Sequence, residues 1–454
     1  VFMLLVCIWI CFTPFGNTVI GGKDAVPMMS KKNWFSITLC TTVAAGIVFW
    51  AAAEPIQHLL YPPASSGIEP MSADAALFAM STVYTHWTVL PYAIYTIVTV
   101  MFAFSYYNMK KSFSLGSAIA PIVPEKHTKV VNTIVDIVCV FALVAGLAAS
   151  LGVGVLNING GLSRMFGLES NSFVWAIIIL VVVLTFIISA VSGIMKGVKV
   201  LSNINIYVYF IILACVLLFG GAVFIFSFGV EGLGDFITNF FSKSLFTGAA
   251  SGDPWARDWP MFYFGTWMAW APISAVFLGR ISYGRKVKHV VVMNLVVTSL
   301  FSVVWFMIIS GATINLAMNV PASGIIESFQ LGYEFVIYQL FENLPLSAIL
   351  TPLFLFSVFI SFVTASDSTT VAISGICSTG ISPESPDAPK GIKILWGVVI
   401  AVVTWIMMSV GEGITGVKML SNIGGLPAMF FILLVTYSAI KVAYHPEKYD
   451  KTIN

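Results

Sequence analysis

Apolar segments long enough to cross a lipid bilayer recur from one end of this 454-residue sequence to the other. A spanning helix needs about 20 mostly apolar residues, and only 9% of this chain is charged. The segments are continuous rather than alternating, which favours helices over a barrel. We therefore predict an all-α polytopic membrane protein. The eleven segments, of which the first is partial, cover 1–13, 34–60, 75–107, 131–156, 172–195, 200–228, 259–279, 289–318, 346–377, 393–410 and 417–443.

The basic residues predict how these segments cross the membrane. If the loop at 14–33 is cytoplasmic, eighteen of the 22 lysines and arginines fall in cytoplasmic loops, and only Arg164, Lys243, Arg257 and Lys418 fall outside. Cytoplasmic loops carry an excess of Lys and Arg. We therefore expect a multi-pass protein of the cytoplasmic membrane, surrounded by the lipid bilayer, with its C-terminus in the cytoplasm.

Small residues and proline interrupt two of the predicted spans. Segment 34–60 contains TTVAAG and a Glu-Pro pair, and segment 259–279 contains Gly265 and Pro272. Interrupted spans at matching positions of two halves are typical of transporters built from inverted repeats. These two segments are each the first of five spans, and the two sets of five have opposite orientations in the predicted topology.

Two further segments, 231–248 and 322–343, are amphipathic and too polar to span, so we expect them on the outer surface. The predicted order of parts is a partial N-terminal span with its cytoplasmic loop, a first repeat, a surface helix with its loop, a second repeat, and a short cytoplasmic tail. These parts cover residues 1–33, 34–230, 231–256, 257–443 and 444–454. The opening Val1 lies inside an apolar run, which indicates that the sequence begins within a longer natural protein.

Composition and motifs argue against several other classes of protein. The formal net charge of +2 offers no basic footprint for a nucleic acid. The six cysteines lie in apolar segments without metal-ligand spacing, and the five histidines are scattered along the sequence. We find no phosphate-binding loop, nucleophile elbow or zinc-protease motif. We therefore expect neither an enzyme nor a resident cofactor or metal.

The span DWPMFYFGTWMAWAPISAVFLGR, residues 258–280, is unusually rich in aromatic residues. An interfacial aromatic belt would lie at the ends of a span, whereas Trp267 and Trp270 lie in its middle. The faces of such rings attract cations, quaternary ammonium ions among them. We expect Trp267 and Trp270 to face a cation site and Trp259 to lie at the membrane interface, with a simple aromatic belt as the structural alternative.

A second aromatic cluster lies in the segment THWTVLPYAIY. Trp87 and Tyr95 are eight residues apart and share a helix face, and Tyr92 lies near that face. Packing between helices explains this cluster equally well when it is taken alone. Two clusters on different spans favour a box of rings around a trimethylammonium group, which is permanently charged and cannot donate a hydrogen bond.

Three acidic residues lie within the predicted spans, where charges are costly and mark functional candidates. Asp367 lies in SFVTASDSTT, whose side-chain oxygens suit a hard cation such as sodium. The alternative for Asp367 is a gating or structural ion pair, with Arg280 as its candidate partner. Asp136 is expected to be structural, and Glu54 is expected to cap or gate the outer end of its span.

Taken in order, the motifs resemble those of the betaine/choline/carnitine transporter family. FYFGTWMAWAPISAVFLGRISYGR is similar to the family's Trp-rich segment with its FLARISRGR-like end, and HWTVLPYAIY is similar to HWxxxPWAxY. FWAAAEP, SLGVGVLNINGGL, KGVKVLSNINI and TASDS match further family segments, so the resemblance covers essentially the whole chain. It implies an inverted repeat of five plus five helices of the sodium-symporter (LeuT-like) type. It also implies a homotrimer, as many members form, with contacts through 231–248.

The resemblance implies a substrate site of five aromatic residues, with Trp270 near the carboxylate or hydroxyl end of the substrate. The four residues of the box itself are Trp87, Tyr92, Tyr95 and Trp267. Tyr92 stands where the family usually has Trp, and Thr266 stands where a second consecutive Trp is usual.

The glycine-rich unwound segment of betaine symporters is replaced here by TVAAG, with Thr42 and Ala44 at two glycine positions. Betaine, carnitine and choline therefore all remain candidate substrates.

The resemblance also bears on the coupling ion. Sodium-independent exchangers of the family carry Arg at the position of Asn205 and Met at the position of Ser274, and this chain has neither. One hydroxyl of the family's usual Thr-Ser sodium pair is nevertheless replaced by Ala365, so Ser366 is a possible substitute. The implied sodium site comprises Cys40 and Val43, through nearby backbone carbonyls, with Thr364, Ala365 and Ser366.

These expectations define a secondary transporter that moves a small quaternary ammonium compound by alternating access, coupled to sodium. A sodium-independent exchanger of the same family is the first alternative. A membrane sensor that binds such a ligand without moving it is the second, although the sequence shows no soluble signalling domain. A membrane enzyme would need a catalytic or metal cluster that the sequence does not reveal.

Overall fold

The computed structural model describes residues 1–191, 195–381 and 388–453, and within them all side chains except those of 43–45, 195–199, 201–202 and 273. The described chain folds into α-helices with short 3-10 and π segments. The helices are α1 (Phe2–Ile10), α2 (Pro14–Asn17), α3 (Lys31–Leu60), α4 (Ala73–Trp87), α5 (Val89–Tyr107), α6 (Thr128–Phe166), α7 (Ser172–Val191), α8 (Met195–Phe219), α9 (Ala222–Thr238), α10 (Phe240–Ser244), α11 (Trp255–Asp258), α12 (Pro260–Ile281), α13 (Val287–Val291), α14 (Thr298–Asn319), α15 (Ile325–Leu331), α16 (Val336–Glu342), α17 (Ser347–Ile376), α18 (Lys390–Val410) and α19 (Ile414–Tyr444).

The helices provide the predicted number of spans. Among the described residues, seven helical segments are long and apolar enough to cross a membrane, and three bent pairs raise the number to ten. Helix α1 supplies the partial segment at the start. Two of the bends fall where the sequence predicted interruptions, with 52° between Lys31–Thr42 and Gly46–Leu60 and 49° between Trp255–Pro272 and Ser274–Ile281.

The contacts between helices show a two-fold relationship between the two halves. When α3, α4–α5, α6, α7 and α8 are matched in order to α12, α13–α14, α17, α18 and α19, several of the main contacts have counterparts. Helix α12 contacts α5 and α19 as α3 contacts α14 and α8, and α6 contacts α19 as α17 contacts α8. The pairs α6–α17 and α7–α18 map onto themselves. The described helices therefore form the five-plus-five repeat that the sequence predicted.

The loops sort into the two groups that the basic residues predicted. In one group the backbone of Val19 pairs with that of Lys286, and Lys451 donates to the Asn108 carbonyl at 3.0 Å. In the opposite group Ser65 donates its backbone N–H to Asp253 at 2.8 Å. The cytoplasmic assignment of the first group remains a prediction from the sequence.

The surface helix begins earlier than the sequence predicted. The chain turns by 107° between α8 and α9, at Gly221 with φ 92°, so α9 begins at Ala222 rather than near 231. A left-handed φ of this kind favours glycine, and the Gly-Gly pair 220–221 was hidden inside a continuous apolar run. The second amphipathic segment, 322–343, forms the short helices α15 and α16.

Candidate functional site

The break between α4 and α5 positions the first aromatic cluster. Thr88 has φ −119° and ψ −122°, outside the helical region, so α4 ends at Trp87 and α5 starts at Val89. Pro91 is the third residue of α5, and proline lacks the N–H that would continue the hydrogen-bond ladder of α4 across the break. Trp87 therefore lies at the end of one helix, while Tyr92 and Tyr95 lie in the first turns of the next.

The structure brings the other three predicted box residues together around Trp267. Its ring centroid lies 5.1 Å from that of Trp87 at 83° and 5.3 Å from that of Tyr95 at 65°. Tyr92 is 6.1 Å from Trp267. The indole Nε1 of Trp267 donates to the backbone carbonyl of His86 at 2.9 Å, which fixes the ring across the gap between α4 and α12.

A cavity of about 50 Å³ lies against these rings between the two bent helices. Trp87, Tyr95, Trp267 and Trp270 all line it, and none of the described lining residues carries a charge. Its walls come from α3, α4, α5, α6, α12 and α19. The lining residues are Thr41, Thr42, Gly46, Trp50, Trp87, Tyr95, Ala149, Ser150, Val153, Phe262, Tyr263, Thr266, Trp267, Trp270, Val417 and Ser421.

Tyr92 is placed differently from the other predicted box residues. It is absent from the cavity lining, and its hydroxyl shares a hydrogen bond with Ser302 on α14 at 2.7 Å. Its ring packs against Tyr95 with centroids 6.3 Å apart. Tyr92 therefore supports the ring of Tyr95 from behind in this conformation.

Sequence reasoning missed Trp50 and Tyr263, which add rings to the cavity wall. The two centroids are 5.7 Å apart at 77°, and Tyr263 lies 5.3 Å from Trp87. Trp50 belongs to FWAAAEP, which matched the family, and Tyr263 lies four residues before Trp267 on the same helix. This i, i+4 spacing could have indicated a shared face.

The expectation that Trp259 lies at the membrane interface is wrong. Its side chain is only 6% exposed and packs against Trp50 at 6.0 Å. The ammonium of Lys418 lies 3.7 Å from the Trp259 ring centroid. Trp259 therefore belongs to the interior aromatic cluster, covered by a basic residue of α19.

The structure also corrects two expectations about Glu54 and the histidines. Glu54 does not lie at an outer surface as a cap or gate, and two histidines that are far apart in the sequence meet beside it. The Glu54 side chain is fully buried. Its Oε1 lies 2.6 Å from Nδ1 of His86 and 3.5 Å from Nε2 of His58, while Oε2 accepts from Trp87 Nε1 at 2.5 Å. The turn of α3 after Pro55 and the end of α4 meet here, directly behind the aromatic cavity.

The residues of the implied sodium site lie on helices that contact one another. Helices α3, α8 and α17 are in mutual contact, and Cys40, Thr364, Ala365 and Ser366 are all buried. The hydroxyl of Thr364 donates to the carbonyl of Ile360 at 2.7 Å. The side chain of Val43 lies outside the described residues.

A hydroxyl cluster lies one turn from Thr364. Asn205 donates to Ser361 at 2.7 Å and accepts from Ser357 at 2.6 Å, and Tyr209 shares a hydrogen bond with Ser361 at 2.5 Å. Asn205, at the position where the family's sodium-independent exchangers are expected to carry Arg, is therefore held by two hydrogen bonds to α17.

In the described part of the chain, Asp367 and Arg280 have different neighbours. Asp367 accepts from Ser189 of α7 at 2.5 Å. The guanidinium of Arg280 lies 5.9 Å from the ring centroid of Phe113. The expected ion pair between them is not among these contacts, because Asp367 faces α7 while Arg280 lies at the end of α12.

Two inverted five-helix repeats with a buried cavity beside their bent first helices define a polytopic transporter of the inverted-repeat class. The sequence matches BCCT, betaine/carnitine/choline family transporter, over residues 1–448. The chain belongs to this family. It is therefore a transporter and not an enzyme.

Several relatives resemble the chain over nearly its whole length. It is 32% identical to "Ectoine/hydroxyectoine transporter" of Virgibacillus pantothenticus, with 98% of this chain and 89% of the relative covered. It is 28% identical to "Glycine betaine transporter OpuD" of Bacillus subtilis, with 95% and 83% covered. Among solved structures, a Na+-coupled sialic acid symporter in a substrate-bound outward-open state is 14% identical, with TM-score 0.49 and 97% and 95% covered.

Proposed function

We propose that this protein is a secondary transporter of a small quaternary (trimethyl)ammonium compound such as betaine, carnitine or choline. The observation that carries the proposal is the cavity whose wall combines Trp87, Tyr95, Trp267 and Trp270 with no charged residue among its described lining. A carboxylate is dispensable for a permanently charged, weakly hydrated cation, because ring faces supply the attraction. Alternating access follows from the two repeats with their bent first helices.

The names of the relatives widen the list of substrates to be tested. Ectoine carries a delocalised cyclic cation with N–H donors, which a trimethylammonium group lacks. The hydroxyl of Thr266, which lines the cavity, donates to the carbonyl of Phe262 at 2.9 Å, and its oxygen keeps lone pairs that accept from such a donor. Ectoine is therefore the second candidate substrate, favoured by the Thr in place of Trp at position 266.

Sodium is the coupling ion that we propose. The support is that this chain has neither the Arg nor the Met of the family's sodium-independent exchangers at Asn205 and Ser274, together with the hydroxyls of α17, which contacts α3 and α8. Thr364 keeps its hydroxyl, and Ser366 would substitute for the one missing at Ala365. Backbone carbonyls near Cys40 and Val43 would complete the oxygen shell that a hard cation requires.

We also propose that the chain assembles as a homotrimer through α9, with its C-terminus in the cytoplasm. Helix α9 exposes Val223, Phe226, Val230 and Ile237 on its surface. Native mass measurement in detergent tests this assembly, and charged substitutions at Val223 and Val230 should convert trimers to monomers.

Uptake by proteoliposomes tests the proposed function. Labelled betaine, carnitine, choline and ectoine should each be offered with an inward sodium gradient, with sodium at equilibrium, and with unlabelled substrate inside. Accumulation that needs the gradient supports symport. Uptake that needs only internal substrate identifies the exchanger instead. Binding of these compounds without uptake or counterflow under any condition would overturn the proposal in favour of the sensor.

A further inference from the structure

The buried side chains behind the aromatic cavity hold a set of metal-ligand atoms. His58 Nε2, His86 Nδ1 and a Glu54 carboxylate oxygen each offer one ligand atom, and these atoms lie within 4.8 Å of one another. Two imidazoles and one carboxylate suit Zn²⁺ and neighbouring divalent transition metals. All three side chains are at most 1% exposed.

A purely structural role explains only part of this cluster. Glu54 accepts from His86 and Trp87, and those bonds tie α3 to the end of α4. His58 is different, because its ring is fully buried and neither ring nitrogen has a hydrogen-bond partner among the described residues. A buried polar group without a partner is costly. Its Nε2 is nevertheless aimed at Glu54, at 3.5 Å from Oε1.

The spacing of the atoms is close to what a bound ion requires. Tetrahedral ligands at about 2.0–2.1 Å from zinc lie roughly 3.3 Å apart. The separation between His58 and Glu54 already fits at 3.5 Å, and that between His86 and Glu54 has to open from 2.6 Å. Binding therefore requires a rotation of the His86 ring or of the carboxylate. The bond from Trp87 to Oε2 would hold Glu54 in place, as outer-shell partners of metal ligands do.

A second cavity, of about 240 Å³, lies next to this cluster, on the side of the molecule that the sequence predicts to be external. His86 lines it together with Phe78 and Trp255, whose ring centroids lie 6.2 and 5.3 Å from that of His58. Lys243 also lines this cavity, but it forms an ion pair with Asp235 at 2.9 Å. The carboxylate of Asp235 therefore balances the positive charge of Lys243, which would otherwise repel a metal cation in this cavity.

We propose that Glu54, His58 and His86 form a buried binding site for one divalent transition-metal ion of the zinc type. A water molecule would take the fourth position. The bound ion adds positive charge directly behind Trp87, whose ring is one wall of the substrate cavity. Zn²⁺ should therefore inhibit uptake of a cationic substrate. The inhibition rests on the proposed function, whereas the binding does not.

Cobalt binding to the purified full chain tests the site without any substrate. Co²⁺ should produce visible ligand-field bands at one equivalent, and Zn²⁺ should remove them. His58→Phe keeps the ring volume among Phe78, Trp255 and Trp259 and should weaken Co²⁺ binding at least about tenfold. His127→Phe, at an exposed position before α6, is the matched control and should leave the bands unchanged.

A second variant keeps the test decisive if His58→Phe does not fold. His58→Cys offers a thiolate at the same position, so bound Co²⁺ should gain a sulfur charge-transfer band that the wild type lacks. An absence of bands in the wild type, or equal affinity in wild type and His58→Phe, would reject the metal site. Co²⁺ binding without inhibition of uptake by Zn²⁺ would retain the site and remove its effect on transport.

Discussion

The indole Nε1 of Trp87 donates to the buried carboxylate of Glu54 at 2.5 Å, while the ring of the same tryptophan meets Trp267 at 5.1 Å. One residue thus links a buried charge on α3 to the aromatic cavity formed with α12. The carboxylate cannot move without freeing the ring that a cation would contact. This link joins the first helix of each repeat, the two elements that bend.

Glu54→Gln should weaken substrate binding, although the substituted side chain lies outside the cavity. The carboxylate uses one oxygen for His86 and the other for Trp87. The Gln amide has only one acceptor oxygen, and its nitrogen is a donor, so it cannot accept from both residues in this way. Hydrogen bonds to charged groups contribute about 1.5–3 kcal/mol, and affinity should fall roughly tenfold or more. Tryptophan fluorescence titration measures this. Asp235→Asn, in the surface helix α9, is the control, and equal losses in both variants would contradict the link.

Trp267→Leu should reduce substrate affinity and leave the fold intact. Each ring contributes about 0.5–2 kcal/mol to cation binding, which corresponds to roughly a 2- to 30-fold rise in Kd. Trp405→Leu removes an indole from the exposed face of α18, where Trp405 is 42% exposed, and should not change Kd. Unchanged affinity in Trp267→Leu would exclude this ring from the cation site.

The bend of α3 makes Gly46 a specific test of the cavity. A Cβ at this position would lie 2.6 Å from the Trp87 ring, so Gly46→Ala should displace that ring. Overpacking of this kind costs about 1–3 kcal/mol of stability, and substrate affinity should fall as well. Gly234→Ala in α9 is the control, because nothing lies within 4 Å of its added Cβ. Measurements of Tm and Kd on both variants separate local displacement from a general effect of alanine.

The sequence was sufficient to select Trp87, Tyr95 and Trp267, because aromatic clusters in the middle of two spans are visible in the sequence itself. The expectation that Trp87 and Tyr95 share the face of one helix was wrong, because the break at Thr88 places them on α4 and α5. The cluster around Glu54 could not be placed, because it joins α3 to the residue at which α4 stops, and no periodicity relates the two helices. Trp259 was misplaced for the same reason, since Lys418, which covers it, comes from the last helix of the second repeat.

Thr364→Ala should raise the sodium concentration that half-maximal uptake requires, by about tenfold if the hydroxyl is an ion ligand. Ala365→Ser, which restores a second hydroxyl, should lower it. Thr436→Ala in α19 is the matched control, because Thr436 is also buried and donates to a carbonyl of its own helix at 2.8 Å. Uptake measured against sodium concentration gives all three values. No shift in Thr364→Ala would place the sodium elsewhere or favour the exchanger.

The position and burial of Glu334 predict that the stability and activity of the protein depend on pH. It lies in the short 3-10 segment Tyr333–Phe335, outside the spans, and lines a cavity of about 840 Å³ together with Tyr61 and Trp175. Burial raises the pKa of the Glu334 carboxyl from its usual value to about 7. At pH values below 7 this residue is therefore neutral in the folded protein, and it becomes negative as the pH rises through 7.

Two consequences of this raised pKa can be measured. An ordinary glutamate carboxyl has a pKa of about 4.3. From about pH 4.3 to about pH 7, Glu334 therefore keeps its proton in the folded state and loses it in the unfolded state. The free energy of unfolding should fall as the pH rises through this range. Uptake of choline, the candidate substrate with a net positive charge, should instead increase as the pH rises through 7, because the new negative charge attracts it. Glu334→Gln should flatten both profiles, whereas Glu327→Gln, at an exposed position of α15, should change neither. A wild-type step near pH 7 that persists in Glu334→Gln would assign the titration to another group.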